Sequence, residues 1–384
     1  MRSKLWTMFP SIMIFGIICL LSLLSLFAPK QEMLTIENRK AASLPSFSLA
    51  DWIAADWQEG LGNYVDDHVA FRQEWINLKC FVDEMFLLQT EEDGILLGKD
   101  GQMFTKEFVS VKENKQFIKN IFELVSFAET TNVPVSVMLV PSPSTIFPER
   151  LPKNAPMASE DDLLEYMENE LQPKCTVLRV KDTLSAHKDE YIYYRTDHHW
   201  TTLGAYYAYV DYCQSREKEP CDPDWNQAIH IENFYGTHYS KTRYILTVPD
   251  EIIYFPTDNP MVVYKVTGDA AFEAQSPQAV INTVRFDEYD KYAAFLDGNN
   301  GYSVIKGEGE GKILVVKDSY ANCFIPFLLS NYEQIGVSDY RNYAYNLSNL
   351  VEKEGYDEVL FLYSLQGFAD DTGLVAINRP VYDY

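Results

Sequence analysis

Two short stretches carry the residue types that acyl-transfer chemistry needs. One runs from Tyr193 to Thr202 and contains Asp197, His198, His199 and Trp200; the other runs from Lys312 to Tyr320 and contains Ser319. In the second stretch, the apolar residues Ile313 to Val316 read as a buried strand, and Ser319 comes within three positions, before an expected helix. Ligands of open α/β sheets bind beyond the carboxyl ends of the strands. A helix N-terminus at that place offers N–H groups to a developing oxyanion. Serine also caps helices without doing chemistry, so a nucleophilic role requires a base. His199 supplies one. Asp197 lies two positions earlier, and residues i and i+2 of an extended segment share a face. Asp197 can therefore hold the imidazole in one tautomer while its other nitrogen takes the Ser319 proton. His198 is expected to point away from that face.

A metal centre competes for the same cluster, as does a purely structural His-His-Trp packing unit. Adjacent histidines on extended backbone diverge, and no i, i+4 histidine pair helps them chelate. Further ligands would have to come from His230, His238 or distant carboxylates. No metal and no cofactor is expected. The glycine-rich run Gly307 to Lys312 resembles a phosphate loop, but Ile313 stands where Ser or Thr is required and two glutamates would repel phosphate. It reads as a flexible turn. Asn299-Asn300-Gly301 reads as hairpin chemistry.

Asp197-His198-His199-Trp200 is the signature of the DHHW family, and the chain resembles that family over most of its length beyond the N-terminal apolar run. The motif is also similar to the Asp-x-His-Trp motif of the AlgJ/AlgX-type alginate O-acetylation proteins, which carry SGNH-hydrolase-like domains. In both, the Asp/His motif precedes the serine. The resemblance implies Asp197 as orienter, His199 as base and Ser319 as nucleophile, with Arg341, Tyr320, Trp200 and His198 assigned to substrate binding. It implies an acyl donor, an exported cell-surface polysaccharide as acceptor, and a membrane-bound O-acyltransferase as partner. Two departures concern the substrate. No carbohydrate-binding module of the AlgX kind is expected after the last strand, and Ser142-Pro143-Ser144 occupies a turn where a lysine is expected in the alginate proteins. Transfer to a sugar, hydrolysis by water and a non-catalytic glycan-binding scaffold all stay open.

Elements that could position these residues alternate along the chain. Val133 to Val140, Cys175 to Val180, Ile313 to Val316 and Glu358 to Tyr363 read as strands. Val111 to Glu129, Asp161 to Leu171, Thr201 to Gln214, Phe324 to Asn331 and Leu347 to Glu354 read as helices. This predicts an α/β, SGNH-hydrolase-like (flavodoxin-like) parallel sheet with helices on both faces. Residues 93–384 form the expected catalytic domain, with a β-rich insertion at about 222–310. Gly94 to Phe104 reads as a β-hairpin with an Asp-Gly turn. Residues 31–92 read as a helical lead, in which Tyr64 to Arg72 fits a capped surface helix.

Leu5 to Pro29 holds no charge, long enough for a helix to cross a bilayer. Arg2 and Lys4 before it favour an inside N-terminus, although Lys30, Arg39 and Lys40 come after it. The run exceeds the 7–15 apolar residues of a cleaved signal. Residues 1–30 are therefore expected to be a single-pass membrane anchor, with the catalytic domain outside the cytoplasm. A formal charge of −24 over 384 residues disfavours nucleic acid as a partner. Of six cysteines, Cys213 and Cys221 flank a short polar stretch and could bridge, though buried free thiols are the commoner outcome.

Overall fold

The computed structural model describes residues 2–107, 114–267 and 271–379. The chain divides into one unit of Met1–Gln89 with Ser240–Leu246, and another of Thr90–Tyr239 with Thr247–Tyr384.

In the first unit, helix α1 (Arg2–Phe27) contains Met8–Phe27, a run long and apolar enough to cross a membrane. Helices α2 (Leu49–Ala54), α3 (Asp56–His68) and α4 (Arg72–Met85) come after it. Ser48 caps α2 by accepting the Asp51 N–H. Tyr64 to Arg72 is not one surface helix. The chain stops at His68 and restarts at Arg72, with Phe71 in the left-handed region at φ 60°. The reason is Asp67, which is buried and accepts from Arg39 Nη1 and Nη2 at 2.8 and 2.6 Å and from the Ala42 N–H at 2.8 Å. Arg72 bonds Glu37, and Arg243 lies 3.6 Å from the same carboxylate.

The second unit is built on a sheet of β1 (Val135–Val140), β2 (Thr176–Leu178), β3 (Pro260–Thr267), β4 (Ala271–Ala274), β5 (Tyr302–Lys306), β6 (Lys312–Lys317), β7 (Gln334–Ser338) and β8 (Glu358–Ser364). Their order is β4-β3-β5-β7-β6-β8-β1-β2, and Gln278–Ala279 adds a short pairing to β3. Neighbours from β7 through β2 run parallel. The wing β5, β3 and β4 is antiparallel, so the sheet is mixed rather than wholly parallel. Residues 222–310 are β-rich: Ile229–Phe234 and Asp250–Tyr254 pair with each other outside the main sheet, and β3, β4 and β5 widen the main sheet itself.

Apolar layers cover both faces. Along β6, Ile313 and Val315 join Trp200, Tyr209 and Phe324 on one side, while Leu314 and Val316 join Phe117, Leu124 and Leu350 on the other. This period of two with burial on both faces is why such strands read as unbroken apolar runs. Helix α5 (Lys115–Thr130) is capped by Asn114, which accepts the Phe117 N–H, and buries Phe117, Ile121, Leu124 and Phe127 at helical spacing. Val111 to Glu113, expected in this helix, lie outside the described residues. Helices α6 (Asp161–Leu171), α7 (Val180–Ala186), α8 (Thr202–Ser215) and α9 (Leu347–Glu354) complete the layers.

Several local expectations change. Strand β7 escapes a pattern search because Gly336 interrupts it; a Cβ there would meet the Tyr356 hydroxyl at 2.1 Å. The segment after Phe324 is a 3₁₀ helix, Ile325–Ser330, with Pro326 in its first turn. Gly307 and Gly309 are no flexible turn, since Cβ atoms on them would strike the Tyr332 carbonyl and the Asn331 backbone. Asn299 to Gly301 leads into β5 rather than joining two strands of a hairpin. The Asp-Gly hairpin is present, pairing Ile95–Leu97 with Met103–Thr105 through Asp100 and Gly101 at positive φ. Cys213 and Cys221 are free thiols.

Candidate active site

Strand β6 ends at Lys317, and Asp318 closes the turn that presents Ser319. Its Oδ1 accepts the Tyr320 N–H at 2.9 Å, and its Oδ2 accepts the Ser364 N–H and hydroxyl at 2.9 and 2.7 Å. Gly367 makes room for that carboxylate, because a Cβ there would lie 2.1 Å from Oδ2. Ser319 thus stands at the carboxyl edge of the parallel strands. It opens a four-residue 3₁₀ turn, Ser319–Asn322, not a regular helix. The expected helix-dipole support for an oxyanion is correspondingly absent at this place.

The Asp197–Trp200 segment is a tight loop rather than an extended strand. Tyr193 bridges Trp200, and the Tyr194 N–H donates to the His199 carbonyl at 3.2 Å. Asp197 Oδ1 accepts the His199 N–H at 3.0 Å, the local turn that aspartate favours. The turn brings ring and carboxylate together where pleating was expected to. His199 Nδ1 lies 2.5 Å from Asp197 Oδ1, and His199 Nε2 lies 2.7 Å from Ser319 Oγ. A carboxylate can only accept, so Nδ1 carries the hydrogen and Nε2 accepts the Ser319 hydroxyl. Burial by itself would raise the Asp197 carboxyl. The charges of His198 and His199 and the bonds from His199 and Thr237 outweigh it and hold Asp197 well below the ordinary carboxylate range.

Residues from the segment read as an insertion hold this loop. Asp197 Oδ2 accepts the Thr237 N–H at 2.7 Å and its hydroxyl at 3.0 Å. Gly236 leaves the space: a Cβ on it would lie 2.2 Å from the Asp197 Cβ. Buried Asp250 accepts the Arg195 N–H, the Thr196 N–H and the Thr196 hydroxyl at 2.9, 2.7 and 2.6 Å, and the Tyr191 hydroxyl as well. Tyr292 stacks on the His199 ring, with centroids 4.0 Å apart and planes at 16°, and its hydroxyl donates to the Ser319 carbonyl at 3.0 Å. None of these residues stands in a recognisable motif. A buried-strand pattern around Asp250, Asp-Glu-Ile-Ile-Tyr, was the one available signal, since a charge at such a strand's start needs partners.

The remaining candidates fall in different places. His198 does not diverge: its ring lies 3.8 Å from that of His199, and Nδ1 donates to the Thr237 hydroxyl at 2.7 Å. Trp200 is fully buried and donates to the Tyr320 carbonyl at 2.8 Å, so it packs the loop and presents no surface to a substrate. Tyr320 is buried too and donates to the His198 carbonyl. Arg341 lies just beyond β7 and commits its guanidinium to Asp339, Nε at 2.8 Å and Nη2 at 2.5 Å. Beside it, Lys317 is buried and donates to Asn299 and Asn322 at 2.7 Å each; burial pushes its ammonium down to about 8, with Asp339 working the other way. The Ser142 turn after β1 is fastened by Glu160, which accepts from the Ser142 N–H and the Thr145 hydroxyl.

Asp197, His198 and His199 offer ligand atoms within 4.8 Å of one another, close enough for a metal ion. Both His199 nitrogens and both Asp197 oxygens are already hydrogen-bonded. An ion would have to break the Asp197–His199–Ser319 chain to bind there.

Fold and site together define an α/β protein with a hydrogen-bonded serine–histidine–aspartate group at the carboxyl edge of its parallel strands. The chain belongs to the DHHW family, whose profile matches residues 110–338 and so includes Asp197, His199 and Ser319. Over 158 residues it is 26% identical to the probable alginate O-acetylase AlgJ of Pseudomonas syringae pv. tomato, a match spanning 39% of this chain and 40% of that relative's length. A crystal structure of a DHHW family protein from Eubacterium siraeum superposes with a TM-score of 0.63 at 24% identity, covering 75% of this chain and 96% of that one. Bacillus cereus PatB1, solved with a sulfonyl adduct, superposes with a TM-score of 0.58 at 18% identity, covering 76% and 99%. At these identities the likeness is one of fold.

Proposed function

We propose that this chain is a membrane-anchored, extracytoplasmic O-acyltransferase or esterase of the SGNH type that acts on an exported cell-surface polysaccharide. The observation that carries the reading is the chain of hydrogen bonds from Asp197 through His199 to Ser319. Ser319 Oγ attacks the carbonyl of an acyl donor while His199 Nε2 takes its proton, and Asp197 stabilises the imidazolium that forms. The leaving group departs with that proton, leaving acyl-serine. A sugar hydroxyl then attacks the acyl carbon, His199 takes the hydroxyl's proton, and the proton returns to Ser319 Oγ as the ester is released. Water in place of the sugar makes the same site an esterase.

The polysaccharide acceptor is supported by the match to a probable alginate O-acetylase, and the compartment by the apolar helix α1. A membrane-bound O-acyltransferase that delivers the acyl group fits both. The test is covalent labelling by a serine-directed fluorophosphonate, with peptide mapping of the product. The adduct is expected on Ser319 and absent from Ser319→Ala. An adduct on another serine, or none from folded protein, overturns the catalytic reading in favour of a glycan-binding scaffold.

A further inference from the structure

The first unit leaves a large apolar surface uncovered. On α4, Phe71 at its start, Trp75, Leu78, Val82, Met85 and Phe86 at its end are 38–71% exposed. At 100° per residue the positions from Trp75 to Phe86 fall within one stripe about 100° wide, the pattern of a helix with a single apolar face. The opposite side is occupied: Cys80 is buried, Arg72 bonds Glu37, and Gln73 accepts from Arg243. Lys79 and Asp83 pair at 2.9 Å along the edge of the stripe. A soluble protein rarely leaves so continuous an apolar stripe in water.

The same unit shows where this stripe begins. The Ala70 N–H, one turn before Trp75, donates to Ser25 Oγ at 2.9 Å, and Ser25 is two residues from the end of α1. Lys30, just past that end, donates to the Ser25 carbonyl and lies over the Tyr64 ring. The start of α4 is thus tied to the last turn of the apolar helix, on the side away from Arg2 and Lys4. In a chain anchored by α1, that level is the headgroup boundary, where tryptophan is favoured and where helices with one apolar face lie in the membrane plane.

We propose that α4 is a second membrane contact, its Trp75–Leu78–Val82 stripe lying in the headgroup–acyl boundary of the outer leaflet. The proposal rests on the reading of α1 as the anchor. Its consequence is that the first unit is a foot held on the bilayer along a helix face, rather than a tether free to swing.

The test uses the full chain in nanodiscs of palmitoyl-oleoyl phosphatidylcholine, with and without bromine on the acyl chains, and reads tryptophan quenching. The Trp75 signal is the difference between the protein and Trp75→Phe, and about a two-fold loss to brominated lipid is expected of an indole at the boundary. Because Trp75 also donates to the Ala70 carbonyl, reporters are added in the Trp75→Phe background: Leu78→Trp on the stripe, to be quenched as strongly, and Asn77→Trp on the other side, to be unaffected. Leu20→Trp reports on α1 separately. If Leu20→Trp is quenched but Trp75 and Leu78→Trp are not, the anchor stands and the proposal falls. Water-like emission from the stripe then means a solvated face, and blue-shifted emission a protein partner. An unquenched Leu20→Trp overturns the anchor and the foot together.

Discussion

Each unit fixes a loop around a buried aspartate, and the two do it with different chemistry. In the first, Asp67 is gripped by the Arg39 guanidinium, supported by Arg72 at 3.7 Å, and the Arg39 bond pulls its carboxyl down to about 2 against the pull of burial. In the second, Asp250 is hydrogen-bonded by backbone N–H groups and hydroxyls, with the partly exposed Arg195 guanidinium farther off at 3.9 Å, and burial wins, raising its carboxyl above the ordinary value. A guanidinium neutralises the carboxylate it holds. N–H and hydroxyl donors orient a carboxylate without adding a positive charge, and the neighbouring Asp197 is held low by His198, His199 and Thr237 rather than by a bonded guanidinium. On the catalytic reading proposed above, the first loop has only to be held, and the second has to be held while a proton moves beside it.

The sharpest way to break this comparison is at the loop itself. His199→Ala is expected to lower kcat on an acetyl ester by about 10³-fold or more with the fold intact. Retained turnover would mean the Asp250-held loop has no catalytic task. Gly236→Ala pushes a methyl into Asp197, and a displacement of the order of 1 Å is expected to cost about 10²-fold in kcat, with KM little changed. An unaltered kcat would show that Asp197 has room the geometry denies it.

Asp250→Asn places an amide against donors that need an acceptor. It is expected to destabilise the second unit by about 2 kcal/mol, read as a lowered urea midpoint. In the first unit the consequence is a pH dependence. A folded-state value below the unfolded one means that Asp67 contributes stability above its ordinary 3.8, and that this is lost as pH falls toward about 2. Asp67→Asn should flatten that acid limb of the first unit's unfolding, and an unchanged limb would make the Arg39 pair a surface ornament. The smallest effect is expected from His198→Ala. His198 lies 3.7 Å from Asp197 and bonds Thr237, whereas the Ser319 hydroxyl pairs with His199 Nε2, so turnover should stay within about ten-fold.

Much of this was legible from residue types and order. Unbroken apolar runs announced β1, β6 and β8, because a strand buried on both faces has no polar side to interrupt it. The membrane-length run of α1 and the i, i+2 spacing of Asp197 and His199 were equally local in their signals. Other features had none. Strand β7 hides behind Gly336, which is there to admit the Tyr356 side chain. That the β-rich segment at 222–310 would place three of its strands in the main sheet had no local signal either, because strand pairing is a long-range choice that hydrophobic period does not encode.

By itself, the sequence determined which residues could react and which elements could carry them, since charge, period and turn chemistry act over a few neighbours. Only the tertiary structure decided that 120 positions of chain close to 2.7 Å between His199 and Ser319. It also decided that Trp200 and Tyr320 are buried and bonded within the loop, and that Thr237, Asp250 and Tyr292 hold it from a distant segment. A buried carboxylate takes whichever donors the fold brings to it, and burial is a property of the whole packed chain that no short stretch contains.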